Sequence, residues 1–442
     1  MQRYNCRPWP RRAKYLRRTR SRQPMALAPL LVMAALLALP LGSHSGEAQN
    51  LHPVVLVPGY GSNQLDARLT AAYEPSAPSC GAGAGQGWFQ LWPNHTGMHD
   101  ASQVPCFADQ MSLVYDAGAD DYRNADGVAT RVPSFGSTHG LVGWDHLVRR
   151  LEGMGYHEGK SLFAAPYDFR YAVAPRGHPS AVGDRYFRDL RRLIRRASRL
   201  NQGRPAIVVA HSFGCALTYQ FLLARPLPWR WRFVKHVVLL APALGGFAEG
   251  MYGLEAGIGY GLPNVTRPTM TRLARSQQST LWRLPTPVVF GDRPLVVTKN
   301  ATYSARNIAE FFEAIGFQEG VRPYLTRVLP LWQALPAPMV PVTSVIGVGV
   351  RTPETYVFGR EGFEGDPEVV YGDGDGDINM VSLVAIEKEW SGVQGQVLKV
   401  VRLPGVHHDG FFSGHFALKS VVSEIYEAGG STELFENLAF EQ

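Results

Sequence analysis

Short apolar runs alternate along the chain with stretches in which apolar residues recur at helical spacing. The runs are rich in β-branched residues and apolar throughout, as strands buried on both faces of a parallel sheet are. They occupy residues 54–57, 206–209, 237–240, 342–348 and 397–401, and the helical spacing recurs between them at 141–154, 184–200 and 213–224. This alternation predicts an α/β fold in which helices cover a mostly parallel sheet.

Residues 246–340 interrupt the alternation. They are rich in Gly, Pro, Trp and Tyr and show no regular succession of strands and helices. We interpret them as a cap inserted into the core, with the glycine-rich stretch 253–278 as a mobile lid. The predicted core then has two parts, residues 51–245 and residues 341–442.

Composition and charge narrow the class of protein. Hydrophobic residues make up 45% of the 442 residues and charged residues 18%, which excludes a disordered chain and a polytopic membrane protein. The net charge is +7, but nine of the 44 Lys and Arg residues lie within residues 1–24, which contain no acid. The rest of the chain has 35 basic and 37 acidic residues, so a nucleic-acid partner is not expected.

The basic tail precedes an apolar run at 25–42 and a short polar stretch that ends at Asn50. A basic region, an apolar region and a small polar exit are typical of a secretory signal. Residues 1–50 are therefore interpreted as a basic tail with a cleaved signal peptide, and an uncleaved signal anchor or a buried helix are the alternatives. The remaining chain is expected in the secretory pathway, either secreted or in the lumen of the ER or vacuole.

The cysteines and glycosylation sequons agree with that compartment. Of the four cysteines, Cys80 and Cys106 are the pair expected to form a disulfide in an oxidising lumen. The bond would close a loop of about 25 residues and contribute roughly 3 kcal/mol. Sequons begin at Asn94, Asn264 and Asn300, which is weak support for a glycoprotein.

The most specific local motif is Ala-His-Ser-Phe-Gly at 210–214, between a predicted strand and a predicted helix. A serine at the apex of such a turn, with small residues two positions away on each side, is typical of a nucleophile elbow, because the backbone folds tightly there. Ser212 is therefore the candidate nucleophile. A buried helix N-cap is the alternative, and Ala210 in place of Gly weakens the match.

A serine nucleophile needs a base, and the base needs an orienting acid, in the chain order Ser, Asp, His. The glycine-rich stretch 371–377 offers three carboxylates after a predicted strand. Asp375 is the preferred candidate and Asp373 the second. The stretch does not match a calcium loop, because Ile378 stands where the sharp turn needs Gly and Val384 where the loop needs Glu.

The candidate base follows the last predicted strand, where two histidines are adjacent. They cannot both face one site, so His408 is preferred and His407 is the alternative. The oxyanion that forms during acyl transfer needs two backbone N–H donors. We expect them from Phe213, directly after the candidate nucleophile, and from Tyr60, in a glycine-containing turn after the first strand.

Several of these stretches resemble the lecithin–cholesterol acyltransferase and lysosomal phospholipase A family. They are residues 52–59, 63–65, 165–170, 211–215, 241–246, 371–375 and 405–408, and the similarity runs from about residue 51 to residue 427. The resemblance implies an α/β-hydrolase that takes an acyl group from a phospholipid onto serine. The acyl group then passes to a sterol or another lipid alcohol, or to water.

The resemblance also assigns roles to individual residues. Ser212, Asp375 and His408 stand at the family's triad positions, and Tyr60 and Phe213 at its oxyanion positions. The loop from residue 80 to residue 106 brackets Trp88, Phe89 and Trp92, and resembles the family's small disulfide-closed, membrane-touching loop. An ordinary packed loop is the alternative.

The chain departs from the family pattern in two ways. No cysteine follows Cys215, so a second disulfide found in animal members is missing. Tyr60 and Phe213 change the residues around the acyl site, which puts the preferred acceptor in doubt. The alternatives to a lipid acyltransferase are a phospholipase A or lipase that uses water, and a non-catalytic lipid carrier.

No cofactor or metal motif is apparent, and a monomer at a membrane or lipid-particle surface is expected. Seven arginines along residues 184–200 are interpreted as a solvated helix face, with an anionic-lipid patch as the alternative. Asp168 and Arg170 are interpreted as a structural ion pair that supports the site.

Overall fold

The computed structural model describes residues 51–94, 100, 102–257 and 266–430. The predictions for the basic tail and the signal segment, and for the middle of the predicted lid, lie outside these residues. Within the described residues no helix combines the length and the apolar character needed to cross a bilayer.

Strands and helices alternate through most of the described residues. The strands are β1 (Val54–Val57), β2 (Leu65–Leu69), β3 (Phe89–Trp92), β4 (Leu113–Asp116), β5 (Asp121–Asn124), β6 (Val128–Arg131), β7 (Leu162–Ala164), β8 (Ala206–His211), β9 (Val234–Leu240), β10 (Val296–Val297), β11 (Thr302–Tyr303), β12 (Val342–Val348), β13 (Val350–Val357), β14 (Glu368–Gly374) and β15 (Leu398–Pro404). The helices are α1 (Val104–Met111), α2 (Asp145–Gly153), α3 (Ala181–Leu200), α4 (Phe213–Leu223), α5 (Leu227–Phe233), α6 (Glu249–Ala256), α7 (Arg267–Ser276), α8 (Gln278–Trp282), α9 (Pro287–Phe290), α10 (Ile308–Ala314), α11 (Gln318–Pro323), α12 (Met380–Leu383), α13 (Ala385–Trp390) and α14 (His415–Ala428).

A six-stranded sheet in the order β15-β12-β9-β8-β1-β7 forms the centre of the fold. All of its neighbouring strands are parallel. In β1, Val55 and Val57 belong to an apolar cluster that includes residues of α3 and α4, whereas Val54 and Leu56 belong to a second cluster with residues of α2 and α14. Apolar layers on both faces explain why the strand is apolar throughout, and the predicted mostly parallel sheet is confirmed.

Helix α3 shows the predicted division into a buried and a solvated face. Most of its large apolar residues, among them Leu190 and Ile194, are buried in the core cluster that includes strands of the sheet. Its arginines are all exposed; they are Arg185, Arg188, Arg191, Arg192, Arg195, Arg196 and Arg199. The interpretation as an outer helix face agrees with this arrangement.

A second sheet, in the order β11-β10-β13-β14, joins the region predicted as a cap to the region predicted as the second part of the core. β10 and β11 lie within residues 246–340, and β10 pairs in parallel with β13 beyond them. Within the described residues the predicted cap also contains the short helices α6 to α11. The helices and strands in this region are therefore short, and no clear periodicity in the sequence predicted them.

The predicted disulfide is confirmed: Cys80 and Cys106 are bonded, with an S–S distance of 2.10 Å. The aromatic residues of the loop are half-buried. Trp88 lies between two arginines, with the guanidinium carbon of Arg131 4.4 Å from its ring centroid. Trp92 packs against Phe169 at 5.7 Å between centroids, and its indole N–H donates to the Gly61 carbonyl at 2.6 Å. Trp92 therefore packs within the fold.

Asp168 and Arg170 form a buried ion pair, in agreement with their interpretation as structural. Arg170 is completely buried, and its guanidinium donates to Asp168 at 2.8 and 2.6 Å. It also donates to Asn124 at 2.7 Å and Thr130 at 2.9 Å, residues at the end of β5 and within β6. The pair therefore connects the segment after β7 to the β5–β6 region.

Removal of this guanidinium should destabilise the protein strongly. We expect Arg170→Met to lower the free energy of unfolding by about 3–5 kcal/mol, because the Asp168 carboxylate would remain buried without its cation. Urea denaturation measures the change. The control is Arg192→Met, which removes an ion pair to Asp189 from a side chain that is 77% exposed and should cost less than about 1 kcal/mol. Equal losses in the two variants would contradict the prediction.

Candidate active site

Ser212 lies in a tight turn between β8 and α4. Its backbone has φ 52° and ψ −122°, in a region that residues with a side chain rarely adopt. Its N–H donates to the Leu240 carbonyl at the end of β9 at 2.9 Å, which ties the turn to the neighbouring strand. The strand, turn and helix predicted around Ser212 are all present.

The small residues around the turn are explained by close approaches of the backbone. A Cβ atom at Gly214 would lie 2.3 Å from the Pro58 carbonyl oxygen, so only glycine lets α4 pack against the loop after β1. A Cβ atom at Gly59 would lie 2.8 Å from Nδ1 of His211. These glycines therefore bring the loop after β1 against the turn at Ser212.

The structure brings together the three residues predicted from the motif order. Nε2 of His408 lies 2.8 Å from Oγ of Ser212, and its Nδ1 lies 2.9 Å from Oδ2 of Asp375. Asp375 follows β14 and is completely buried, and its Oδ1 accepts the N–H groups of Asp377 at 3.1 Å and Ile378 at 2.7 Å. The result is a continuous hydrogen-bonded chain from carboxylate to imidazole to hydroxyl.

The alternative residues lie elsewhere. Asp373 is exposed, and its carboxylate accepts the N–H of Gly349 at 2.7 Å. His407 is also exposed, whereas its neighbour His408 is buried. Asp375 and His408 are therefore the acid and the imidazole that meet Ser212.

The environment shifts the pKa values of two neighbouring histidines in opposite directions. Burial would lower the pKa of His408, but the hydrogen bond and charge of Asp375 outweigh it and raise the pKa to about 9. Burial and the adjacent His408 lower the pKa of His211 to about 3. Nε2 of His211 lies 3.0 Å from the His408 carbonyl, so this nitrogen carries the proton of a neutral ring.

Both predicted oxyanion residues line the pocket that contains Ser212. This cavity has a volume of about 150 Å³, and Tyr60 and Phe213 lie on its wall with Ser212 and His408. Phe213 is the first residue of α4, where backbone N–H groups have no partner within the helix. An amide at this position can donate to an oxygen in the pocket.

The predicted cap supplies further pocket residues that no motif had indicated. Trp282 and Arg283 line the cavity, and the guanidinium carbon of Arg283 lies 4.2 Å from the ring centroid of Tyr60. The Tyr60 hydroxyl donates to Gln277 Oε1 at 2.5 Å. Asp377 also lines the cavity, two residues after Asp375. The composition of residues 246–340 did not indicate that residues 277 to 283 would line the pocket.

One group of side chains approaches the spacing of a metal site. Ligand atoms of His211, His408 and Asp409 lie within 4.8 Å of one another. Both ring nitrogens of His408 already face Asp375 and Ser212, and Nε2 of His211 faces a carbonyl. The group does not fit a metal ion, because both ring nitrogens of His408 are used within the site.

The parallel sheet and the strand–turn–helix around Ser212 define the α/β-hydrolase fold. A family model described as Lecithin:cholesterol acyltransferase matches residues 88–333. The chain therefore belongs to the lecithin:cholesterol acyltransferase family, as the sequence motifs had suggested.

Three curated relatives extend the similarity over most of the chain. "Lecithin-cholesterol acyltransferase-like 1" of Oryza sativa subsp. japonica is 72% identical over 410 residues, which cover 92% of this chain and 94% of the relative. The protein of the same name from Arabidopsis thaliana is 40% identical over 401 residues, 85% of this chain and 90% of the relative. "Lysosomal phospholipase A and acyltransferase" of Canis lupus familiaris is 33% identical over 374 residues, 80% of this chain and 87% of the relative.

The contact between Asp375 and His408 should be detectable through the pKa of His408. We expect Asp375→Asn to lower the pKa of His408 well below about 9, because burial is then opposed only by the charges of Asp377 and Asp409. The measurement is an NMR pH titration of the imidazole resonances. Asp373→Asn is the matched control and should leave this pKa unchanged. A pKa that stays near 9 in Asp375→Asn would show that another group stabilises the imidazolium.

Proposed function

We propose that this protein is a lipid O-acyltransferase that moves a fatty acyl group from a phospholipid, through an acyl-Ser212 intermediate, to a sterol or another lipid alcohol. The hydrogen-bonded chain Ser212–His408–Asp375 is the observation that carries the proposal. Membership of the lecithin:cholesterol acyltransferase family supports a lipid substrate.

The first half-reaction forms the acyl-enzyme. Oγ of Ser212 attacks the ester carbonyl of the donor while Nε2 of His408, which is neutral in the reactive form, accepts its proton across 2.8 Å. Asp375 holds the imidazole and stabilises its charged form. The backbone N–H groups of Tyr60 and Phe213 stabilise the oxyanion. The tetrahedral intermediate collapses as the C–O bond to the glycerol breaks, and His408 returns the proton to the leaving alkoxide.

The second half-reaction uses the same groups in reverse. His408 takes the proton of an acceptor hydroxyl, whose oxygen attacks the acyl-Ser212 carbonyl, and the proton then passes to Oγ of Ser212. A lipid alcohol gives an ester, and water gives a free fatty acid. Phospholipase A or lipase activity is therefore the second candidate function, and the name of the Canis lupus familiaris relative includes both activities.

The compartment and the surface at which the protein works are part of the same proposal. A disulfide between Cys80 and Cys106 is favoured in an oxidising compartment, which supports the secretory pathway. We place a monomeric enzyme at a membrane or lipid-particle surface, since its substrates are lipids. A signal segment within residues 1–50 would direct it there.

Replacement of the nucleophile tests the mechanism. We expect Ser212→Ala to reduce acyl transfer from labelled phosphatidylcholine by a factor of roughly 10⁴–10⁶, because no acyl-enzyme can form. The matched control is Ser391→Ala, which changes an exposed serine at the end of α13 and should retain the wild-type rate. Mass spectrometry should detect an acyl adduct on the wild-type protein and not on Ser212→Ala. Full transfer by Ser212→Ala would overturn the mechanism.

The products with and without an acceptor decide between the two functions. Purified protein is incubated with labelled phosphatidylcholine alone, and then with added sterol or diacylglycerol. Labelled steryl ester or triacylglycerol supports the acyltransferase. Free fatty acid as the sole labelled product would leave the phospholipase as the function.

A further inference from the structure

Arg283 is a cation in the Ser212 pocket whose hydrogen-bonding capacity is largely unused. Its Nη2 donates to Thr280 Oγ1 at 3.3 Å, and its guanidinium stacks on the ring of Tyr60. Its Nε is buried and has no hydrogen-bond partner within the described part of the chain. The contact with Thr280 is the one hydrogen bond of this guanidinium within the described part of the chain, so its remaining terminal N–H groups can meet a ligand in the pocket.

The backbone holds Arg283 firmly in this position. Its carbonyl accepts the N–H of Phe247 at 3.1 Å. Cβ atoms at Gly246 and Gly250 would lie 2.9 and 2.8 Å from the same carbonyl, so the glycines allow a contact that larger residues would break. The guanidinium therefore projects from a backbone that is held in place, and a fixed position favours selective binding of a ligand.

Two carboxylates line the same pocket as this cation. Asp377 and Asp409 line the cavity with Arg283, and both are exposed. These carboxylates disfavour a ligand with a net negative charge and favour one that carries a cationic group beside its anionic group. Phosphodiesters with an amine head have this charge pattern.

We propose that Arg283 binds the phosphate of the phospholipid donor, and that the nearby carboxylates of Asp377 and Asp409 favour donors with a zwitterionic head. The inference rests on the proposed function, since it names the contact that would hold the donor while Ser212 attacks. A guanidinium suits this task because its planar fork donates two parallel hydrogen bonds to phosphate oxygens.

Arg283 also contacts Tyr60, so a purely positioning effect must be distinguished from phosphate binding. If the guanidinium acted only by holding the Tyr60 ring, and with it a candidate oxyanion N–H, every ester substrate would be affected alike. If it binds phosphate, only phosphate-containing esters would be affected. A comparison of two substrates separates these roles.

The experiment measures kcat/KM of wild type, Arg283→Gln and Arg283→Lys on two substrates. One is phosphatidylcholine in mixed micelles, and the other is p-nitrophenyl butyrate, an ester without phosphate. We expect Arg283→Gln to lose roughly tenfold to a hundredfold on phosphatidylcholine, the value of a charged hydrogen bond, and less than about twofold on p-nitrophenyl butyrate. Arg283→Lys should recover part of the loss, because a point charge still attracts phosphate.

The control for loss of positive charge is Arg293→Gln, which changes an exposed arginine of the same region and should match wild type on both substrates. Wild type should also prefer phosphatidylcholine to phosphatidylglycerol, and Arg283→Gln should retain or increase that preference, because the carboxylates of Asp377 and Asp409 then act without an opposing cation. An unchanged rate of Arg283→Gln on p-nitrophenyl butyrate would show that this variant is folded.

The outcomes against the proposal are distinct. An equal loss on both substrates would assign Arg283 to positioning of Tyr60, and no loss on either would remove it from the site; both overturn the proposal while the proposed function stands. Failure of wild type to release or transfer any acyl group from phosphatidylcholine would overturn the proposed function, and this inference with it.

Discussion

The backbone turn at Ser212 is the constraint on which the rest of the site depends. Its φ of 52° is unfavourable for serine and persists because the surroundings hold it. β8 is paired on both sides, and the Ser212 N–H bonds to Leu240 on the neighbouring strand. On the other side, Gly214 packs against the Pro58 carbonyl. The same turn therefore sets the position of the serine, of the first amide of α4 and of the loop that carries Tyr60.

The imidazole of His408 is positioned by its backbone as well as by its ring. Its N–H donates to the Asp375 carbonyl at 2.8 Å, and its own carbonyl faces Nε2 of His211 at 3.0 Å. Gly347 leaves room for the loop that precedes His408, since a Cβ atom at Gly347 would lie 2.0 Å from the Val406 carbonyl. The ring is thus held between the residue before Ser212 and its carboxylate partner, which limits the reorganisation that proton transfer would require.

The central sheet and the hydrogen-bonded chain could be predicted from the sequence because local patterns encode them. Ser212, Asp375 and His408 each follow a strand, and the chain order of their residue types is characteristic. The second sheet could not be predicted, since β10 and β11 have two residues each and show no periodicity. Arg283 and Gln277 were also missed, because long-range packing against α6 and the loop before it brings them to Tyr60, and no local motif records such packing.

The hydrogen-bonded chain does not by itself choose the acceptor, because an imidazole can deprotonate water as well as an alcohol. The choice falls to the walls of the pocket, where Phe213 meets Trp282 edge to face at 6.0 Å between centroids and Phe247 lies nearby. In the proposed reaction, a cavity of about 150 Å³ would hold the ester group but not the body of a lipid, so the acyl chains and the acceptor would lie beyond it. In the proposed mechanism, the extent to which the acceptor covers the mouth of the pocket would decide whether water reaches the acyl-enzyme, and that would depend on the predicted cap more than on Ser212, His408 and Asp375.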